Sequence, residues 1–252
     1  MLLWRSRVLC FYTVISIITI VFFLVTCLPT MFIKVKYRTR YNIAMWFSYI
    51  FVWSARIMCS LKYKVEGLEK LPKEPCIVMS NHQSFWENVF MQLIIPEHSW
   101  VIKKELFEIP FFGWGLRMVE PIAVNRNSNG SVNQILEQGK KKIKNGLWLV
   151  VFPESTRLRP EQSMKFKPSA AKLAIEAKVP IVLIAHNAGV FWPKGFWIKK
   201  PGVINVKIIE VLSREFVETQ EVRTLTEHIG EIINVEKQKL YEAARDSIVT
   251  AA

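Results

Sequence analysis

The sequence predicts an α/β protein, in which a mixed sheet carries helices on both faces and an N-terminal hydrophobic helical membrane anchor precedes it. Two observations lead to this fold class. A long apolar segment lies near the N-terminus, and short apolar runs then alternate with helical stretches over the remaining chain. The length agrees, since 252 residues can bury a large core and form one large domain.

Charge and hydropathy exclude several classes of protein. The formal net charge is +13 and 51% of the residues are hydrophobic, while the mean hydropathy is +0.19. Soluble nucleic-acid-binding proteins are basic but less apolar, whereas proteins with many membrane spans seldom carry this much charge. An apolar anchor on a basic domain accounts for both values, so we expect an anionic membrane surface as a partner and no nucleic acid.

The first apolar segment is long enough to enter a membrane. Residues Val8 to Ile33 include no Asp, Glu, Lys, Arg or His, and at about 1.5 Å per residue such a helix crosses a hydrocarbon core of about 30 Å. Arg5 and Arg7 also suit the basic start of a cleaved signal peptide. The apolar region of a signal peptide is usually only about 7–15 residues, however, so we interpret this segment as a retained anchor.

A second apolar stretch, Asn42 to Leu61, contains one charge, Arg56, and many aromatic residues of the kind found at membrane interfaces. Two arrangements fit: a pair of spanning helices, or a helical hairpin that lies partly in one leaflet. We divide the chain into an anchor over residues 1–61 and a catalytic domain over 62–252. Basic residues between the two apolar stretches favour a cytoplasmic location for the C-terminal side, namely Lys34, Lys36, Arg38 and Arg40.

The alternation of apolar runs beyond residue 62 predicts six strands and four main helices. The runs are short and bounded by Pro, Gly or Asn, and most are rich in Val and Ile. The predicted strands are Cys76–Ser80, Trp100–Lys103, Pro121–Val124, Leu147–Phe152, Pro180–Ala185 and Val203–Val211. The predicted helices are Phe85–Ile95, Val132–Lys144, Ser169–Ala177 and Val222–Ala244.

A histidine and a carboxylate follow the first strand of this domain. His82 stands at the carboxyl end of that strand, where α/β sheets place their ligand crevices, and Glu87 falls in the first turn of the next helix. The carboxylate can turn back onto the imidazole, fix its tautomer and stabilise its charged form, as an acid does beside a histidine base. Ser84 and Glu87 also match S-x-x-E, so Glu87 can instead complete a capping box.

Basic residues lie at the ends of three further strands. Lys103 ends one strand, Arg126 follows another, and Arg157 lies in the loop after a third. Arginine suits bidentate contact with phosphate, and the hydroxyl and backbone N–H groups beside Arg157 make a suitable phosphate-binding loop. Each feature alone has an ordinary explanation, either a solvated charge run or a strand-ending turn. Together with the anchor, they predict a site for an anionic lipid.

Five motifs follow one another between about Val65 and Asn187: NHQSFWE, KKELFEIPFFGWG, IAVNR, FPESTR and VPIVLIA. Their order and spacing resemble those of the glycerolipid acyltransferase family, in particular the bacterial 1-acyl-sn-glycerol-3-phosphate acyltransferases. The resemblance implies that a fatty acyl group passes from acyl-CoA or acyl-ACP to the free hydroxyl of lysophosphatidic acid. It implies no metal and no cofactor beyond this co-substrate, and a location at the cytoplasmic side of a bacterial inner membrane.

The resemblance also implies a role for individual residues. His82 matches the general base and Glu87 matches its acidic partner. The other matches concern binding of the acceptor phosphate: Lys103, Arg126 and Arg157 occupy the basic positions, and Glu154, Ser155 and Thr156 complete the third motif.

The chain departs from the family pattern at three positions. Most relatives have Asp where this chain has Glu87, and Gly where it has Ser155. The last motif commonly carries a second proline, where this chain continues with Leu183. Glutamate keeps the charge with one more methylene, so the first change preserves the chemistry, whereas the other two bear on the choice of acceptor.

Three alternatives remain open from the sequence. A serine hydrolase would use Ser84 or Ser155 as nucleophile, but neither serine lies in a G-x-S-x-G motif. A non-catalytic protein that binds anionic membranes would explain the anchor and the charge. The same acyl transfer could also act on a different lysophospholipid.

Overall fold

The central element of the fold is a mixed sheet, seen in a computed structural model that describes residues 2–125, 130–195, 197 and 200–250. The strand order is β1-β7-β6-β2-β5-β3-β4. Neighbouring strands are parallel except β6 and β7, which are antiparallel. The strands are β1 Leu61–Glu66, β2 Ile77–Ser80, β3 His98–Lys103, β4 Ile122–Val124, β5 Trp148–Val151, β6 Ile181–His186 and β7 Gly202–Leu212.

Helices cover both faces of this sheet because the buried residues of its central strands alternate between two hydrophobic cores. In β2, Val78 packs into one core with α1, α3 and α4, while Ile77 packs into the other with α6, α7 and α10. The helices are α1 Leu2–Phe22, α2 Leu28–Phe32, α3 Tyr37–Cys59, α4 Trp86–Ile94, α5 Phe112–Leu116, α6 Ser131–Lys144, α7 Ser169–Ala177, α8 Ala188–Phe191, α9 Arg214–Glu218 and α10 Val222–Thr250.

This architecture confirms the predicted fold class, and each predicted strand is present to within two residues at either end. The strand β1 was not predicted. It lies at the edge of the sheet, and its side chains are mostly exposed, so it lacks the apolar run that marks the buried strands. The last predicted helix, Val222–Ala244, extends to Thr250 in the structure.

The two N-terminal apolar stretches form an antiparallel hairpin that lies against the sheet domain. One helical run, Leu3–Phe32, is long and apolar enough to cross a membrane, with a mean hydropathy of 2.8. It also contacts the domain along one side, from Val8, which is fully buried, to Leu28, a distance of about 30 Å, although only 22% of its apolar window is buried.

Contacts at both ends hold the hairpin in place. The Arg7 guanidinium on α1 donates to the carbonyl of Met58 at 2.9 Å, which satisfies an open carbonyl at the end of α3. At the other end, the Tyr37 hydroxyl donates to the carbonyl of His98 at 3.1 Å. The division into an anchor over residues 1–61 and a catalytic domain over 62–252 stays a prediction, although the two regions share a hydrophobic core.

His98, at the start of β3, is a fully buried histidine that the fold holds uncharged. Its Nδ1 lies 2.8 Å from the carbonyl oxygen of Pro96, which can only accept, so Nδ1 carries the proton. The Tyr41 hydroxyl is also 2.8 Å from Nδ1, and Nε2 is buried without a hydrogen-bond partner. Burial lowers the pKa of His98 to about 4, although the bond to Pro96 opposes this change.

Acidification is therefore expected to destabilise the fold through His98. The unfolded side chain has a pKa near 6.5, so the unfolded chain binds a proton at His98 below that pH. The folded chain binds this proton only below about pH 4, so acid favours the unfolded state. Between about pH 7.5 and about pH 5 the free energy of unfolding should fall by about 2 kcal/mol from this residue. Denaturant unfolding of purified protein in detergent measures the change.

His98→Asn is the matched comparison, because asparagine keeps a side-chain N–H close to Nδ1 but does not titrate. The variant should lose less stability than the wild type over the same pH interval. Equal losses in the two proteins would show that His98 does not cause the acid sensitivity.

Candidate active site

The candidate site lies at the carboxyl ends of the central strands, where His82 and Glu87 form a pair. The loop after β2 carries His82, and the first turn of α4 carries Glu87. Nδ1 of His82 lies 2.8 Å from Oε1 of Glu87. A carboxylate only accepts, so Nδ1 carries the proton and Nε2 keeps its lone pair. This geometry suits a histidine that removes a proton from a substrate.

The same Glu87 oxygen also caps the start of α4. Oε1 accepts the backbone N–H groups of Gln83 and Ser84, both at 2.8 Å, and the Ser84 hydroxyl accepts from the N–H of Trp86 at 3.1 Å. The capping role and the imidazole-orienting role, which were alternatives from the sequence, therefore coexist in one side chain. Ser84 is fully buried in this cap, which gives no support to a nucleophilic role for it.

Glu87 is fully buried, yet it remains a carboxylate. Burial by itself raises its pKa, but the nearby His186, the bond from His82 and the backbone donor of Ser84 outweigh burial and lower it. The charge can then stabilise the imidazolium that forms when Nε2 takes a proton.

The main chain of His82 is held by the loop that follows β5. Its N–H donates to Oε2 of Glu154 at 2.7 Å, and its carbonyl accepts from the N–H of Leu158 at 2.8 Å. These bonds join the histidine to the loop that carries Arg157. The ring of His82 also stacks on Phe152, with centroids 4.2 Å apart.

Glu154, which was predicted to bind substrate, has its carboxylate against the main chain of His82. Glu154 is 1% exposed, and it does not line the cavity beside His82 that is described below. Burial raises its pKa to about 7, although the bond from His82 and the charge of Lys237 oppose this. Glu154 lies three residues before Arg157, but no ion pair between them is found among the described residues. Its Oε2 accepts from the N–H of His82 and its Oε1 has no hydrogen-bond partner.

Ser155 occupies a tight turn directly after Glu154. Its φ of +58° lies in the left-handed region, where a side chain costs about 1 kcal/mol relative to glycine. Its N–H donates to the carbonyl of Phe152 at 2.9 Å and closes the turn. Glycine would adopt this backbone conformation without that cost.

A cavity of about 630 Å³ opens beside His82, and we call it the large cavity. Apolar side chains from the hairpin and from the sheet domain form most of its lining, and His82 is among the polar residues that line it. The apolar lining includes Phe22, Phe23, Phe47, Ile102, Phe111, Ile135 and Val151.

Four of the six predicted phosphate-binding residues line the large cavity, namely Lys103, Ser155, Thr156 and Arg157. Lys103 ends β3, and Arg157 is half-buried in the loop after β5. Arg126, another of the six, lies outside the residues that the structure describes. Among the described residues that line the cavity, none is acidic, so its charged groups favour an anionic ligand.

Two buried residues that the sequence analysis missed support the site. His186 lies at the end of β6, and its Nε2 donates to the carbonyl of Asn81 at 2.9 Å, beside His82. Lys237 of α10 donates from Nζ to the carbonyl of Gln162 at 2.6 Å and so fixes the loop after β5. The strand-end rule could have found His186, whereas a lysine within an amphipathic helix gives no such signal.

Comparisons with known proteins agree with the family resemblance of the sequence motifs. The Acyltransferase family model matches residues 62–187. A 1-acyl-sn-glycerol-3-phosphate acyltransferase of Pseudomonas aeruginosa is 39% identical over 191 residues, which cover 75% of this chain and 72% of that protein. The enzyme of the same name from Saccharomyces cerevisiae is 30% identical over 70% of this chain and 60% of its own length.

A solved structure shares the fold. The crystal structure of the 1-acyl-sn-glycerophosphate acyltransferase from Thermotoga maritima superimposes with a TM-score of 0.76 at 22% identity, covering 94% of this chain and 95% of that one. The family match extends over both the His82–Glu87 pair and the loop that carries Arg157. The chain therefore belongs to the acyltransferase family.

Proposed function

We propose that this protein is a 1-acyl-sn-glycerol-3-phosphate acyltransferase that forms phosphatidic acid during phospholipid biosynthesis. The observation that carries the proposal is the His82–Glu87 pair beside an apolar cavity, with Lys103 and Arg157 lining the same space. The phosphate and free hydroxyl of the acceptor match the polar groups of this space, and the hydrocarbon chain of a lipid substrate matches its apolar lining. The names of the relatives from Pseudomonas aeruginosa and yeast support the same reaction.

The proposed reaction is a direct transfer that starts at Nε2 of His82. This nitrogen takes the proton of the acceptor hydroxyl while the hydroxyl oxygen attacks the thioester carbonyl carbon. Glu87 stabilises the imidazolium, the carbon–sulfur bond breaks, and the imidazolium returns its proton to the leaving thiolate. The products are the new ester and the free carrier thiol, so the reaction needs no metal and no cofactor apart from acyl-CoA or acyl-ACP.

The proposed role of the basic groups is to hold the acceptor phosphate. Arg157 offers a planar pair of donors and Lys103 a mobile charge, so that together they balance a phosphate of about −1.5 to −2 charges. Fixing the phosphate places the hydroxyl next to His82. The reacting groups are then held together, so the attack no longer depends on a chance bimolecular encounter. Thr156 and Ser155 line the same region. We expect Arg126 to add to this group.

We further propose that the hairpin attaches the protein to a membrane without crossing it. Its outer face is strongly apolar, and three aromatic residues of α3 lie on that face with 61%, 55% and 54% of their surface exposed: Trp46, Tyr49 and Trp53. Aromatic side chains of this kind favour the boundary between lipid chains and headgroups. The basic composition favours an anionic leaflet, which fits the cytoplasmic side of a bacterial inner membrane.

An acyl-transfer assay tests the proposed function. Purified protein in detergent should acylate lysophosphatidic acid with acyl-CoA or with acyl-ACP, and a comparison of the two donors identifies the carrier. Faster turnover of another lysophospholipid would favour the alternative acceptor, and no turnover with any acceptor would favour a non-catalytic membrane-binding protein.

His82→Ala is expected to lower kcat by about 10²–10⁴-fold without unfolding the protein, because it removes the general base.

Glu87→Gln separates the two roles of Glu87, since its amide oxygen can still accept from Gln83 and Ser84 but carries no charge. This variant should therefore keep most of its thermal stability and lose activity. If it keeps both, capping is the main role of Glu87.

Arg157→Lys is expected to act through the acceptor, because lysine keeps the charge but loses the bidentate fork. The KM for lysophosphatidic acid should rise while the KM for the acyl donor stays nearly constant. A neutral acceptor without phosphate should be a poor substrate for both proteins and should not respond to the substitution. A parallel loss of activity on both acceptors would indicate a structural role for Arg157.

Replacing the exposed aromatic residues of α3 tests the membrane-binding face. Trp46→Ser combined with Trp53→Ser should weaken binding to anionic vesicles at high salt, since burial of apolar surface is not screened by salt. Phe216→Ser, at a residue on α9 that is 39% exposed, serves as a control and should leave vesicle binding unchanged. Vesicle flotation measures the bound fraction, and equal effects of the two changes would argue against this face.

A further inference from the structure

A second, smaller space opens beside the large cavity, and we call it the side groove. Its volume is about 320 Å³. Some residues line both spaces, among them Phe85, Phe112 and Arg157, so the two spaces meet at Arg157. The residues that line the side groove alone are Tyr12, Ile15, Ser16, Phe51, Trp192 and Gly195.

The wall of the side groove is formed by aromatic rings that already pack against one another. Phe51 stacks on Trp192 with centroids 5.7 Å apart, Phe51 contacts Phe85 at 5.6 Å, and Phe85 contacts Phe112 at 5.6 Å. Phe51 and Trp192 are almost fully buried. A wall of packed rings does not need to reorganise when an apolar ligand binds, which favours affinity.

The charge and the position of the side groove indicate the type of molecule that it accepts. Arg157 is the one charged residue among those described as lining it, so the matching ligand joins a hydrocarbon chain to an anionic head. Ile15 and Ser16 belong to α1, and Ser16 is exposed. The side groove therefore reaches the surface of the hairpin, which is the part of the chain proposed to contact lipid.

We propose that the side groove binds the acyl chain of the lysophospholipid acceptor, so that acceptor and donor chains occupy separate spaces. The inference rests on the proposed function, in which two hydrocarbon chains must be held at once. In the acceptor, the chain, the hydroxyl and the phosphate stand on successive glycerol carbons. The chain-binding space must then adjoin the phosphate-binding Arg157 and the cavity that His82 lines. The side groove meets both conditions, because Arg157 lines it and it shares Phe85, Phe112 and Arg157 with the large cavity. The large cavity remains for the donor chain.

The length of the acceptor chain should control the KM of the wild-type protein. Each methylene that enters the side groove improves apparent affinity by up to about fourfold, the value for burial of one CH₂ group. Lysophosphatidic acids with butanoyl to decanoyl chains, used as dissolved monomers, allow this dependence to be measured without a competing membrane.

Ser16→Phe fills the side groove and is the decisive variant. Ser16 is exposed and lines the side groove but not the large cavity. The KM for the decanoyl acceptor should rise by about tenfold or more, while the KM for the butanoyl acceptor should change by less than about twofold. The KM and chain preference for the acyl donor should stay constant. Thr13→Phe is the matched control, since Thr13 is an exposed hydroxyl residue of α1 that lines neither space.

The outcomes separate this inference from the proposed function. Loss of preference for the decanoyl acceptor in Ser16→Phe, with normal kinetics in Thr13→Phe, supports the inference. If Ser16→Phe changes the preference for the donor chain, the side groove binds the donor chain instead. If the wild type, Ser16→Phe and Thr13→Phe have equal kinetics, the acceptor chain does not occupy the side groove. Either result overturns the inference. Should the wild type acylate none of the acceptors, the proposed function fails as well. Ser16→Leu adds less bulk and repeats the test if the phenylalanine variant does not fold.

Discussion

The active-site geometry depends on one oxygen atom, Oε1 of Glu87, on which three N–H groups converge. A carboxylate without solvent contact must be satisfied by donors, and two of these donors are backbone groups at the start of α4. The imidazole of His82 supplies the third. Because one atom serves the helix start and the histidine, neither can move without disturbing the other. Glutamate in place of the family's aspartate makes all three contacts at 2.8 Å.

The support for His82 comes from several parts of the chain. Glu154 and Leu158 hold its main chain on both sides, so the histidine and the loop that carries Arg157 are fixed relative to each other. Lys237 fastens the same loop from α10, although that helix lies beyond the residues matched by the family model. The buried charge of Lys237 also opposes protonation of Glu154. The motifs within residues 62–187 thus depend on packing against a helix outside that segment.

The sequence predicted most of the fold, because buried strands are continuous apolar runs and α7 follows a plain helical period. The edge strand β1 was missed, since an edge strand buries few side chains. The His82–Glu87 contact was also predictable, because strand ends and first helical turns have fixed positions. The contact of Glu154 was not predictable in this way, because its carboxylate accepts from the N–H of His82, 72 residues earlier in the chain. Tertiary contacts such as that of Lys237 have no local pattern from which they can be inferred.

The hairpin forms part of the wall of the large cavity, through residues such as Phe22 and Phe47. Its outer surface is apolar, so in the proposed membrane attachment the same two helices would separate the site from lipid on one side and shape it on the other. For an acceptor that diffuses within a bilayer, the relevant concentration is then its mole fraction in the membrane plane. Adding inert lipid at constant acceptor would slow catalysis by surface dilution, even when the bulk concentration is unchanged. The rate of such an enzyme responds to membrane composition directly.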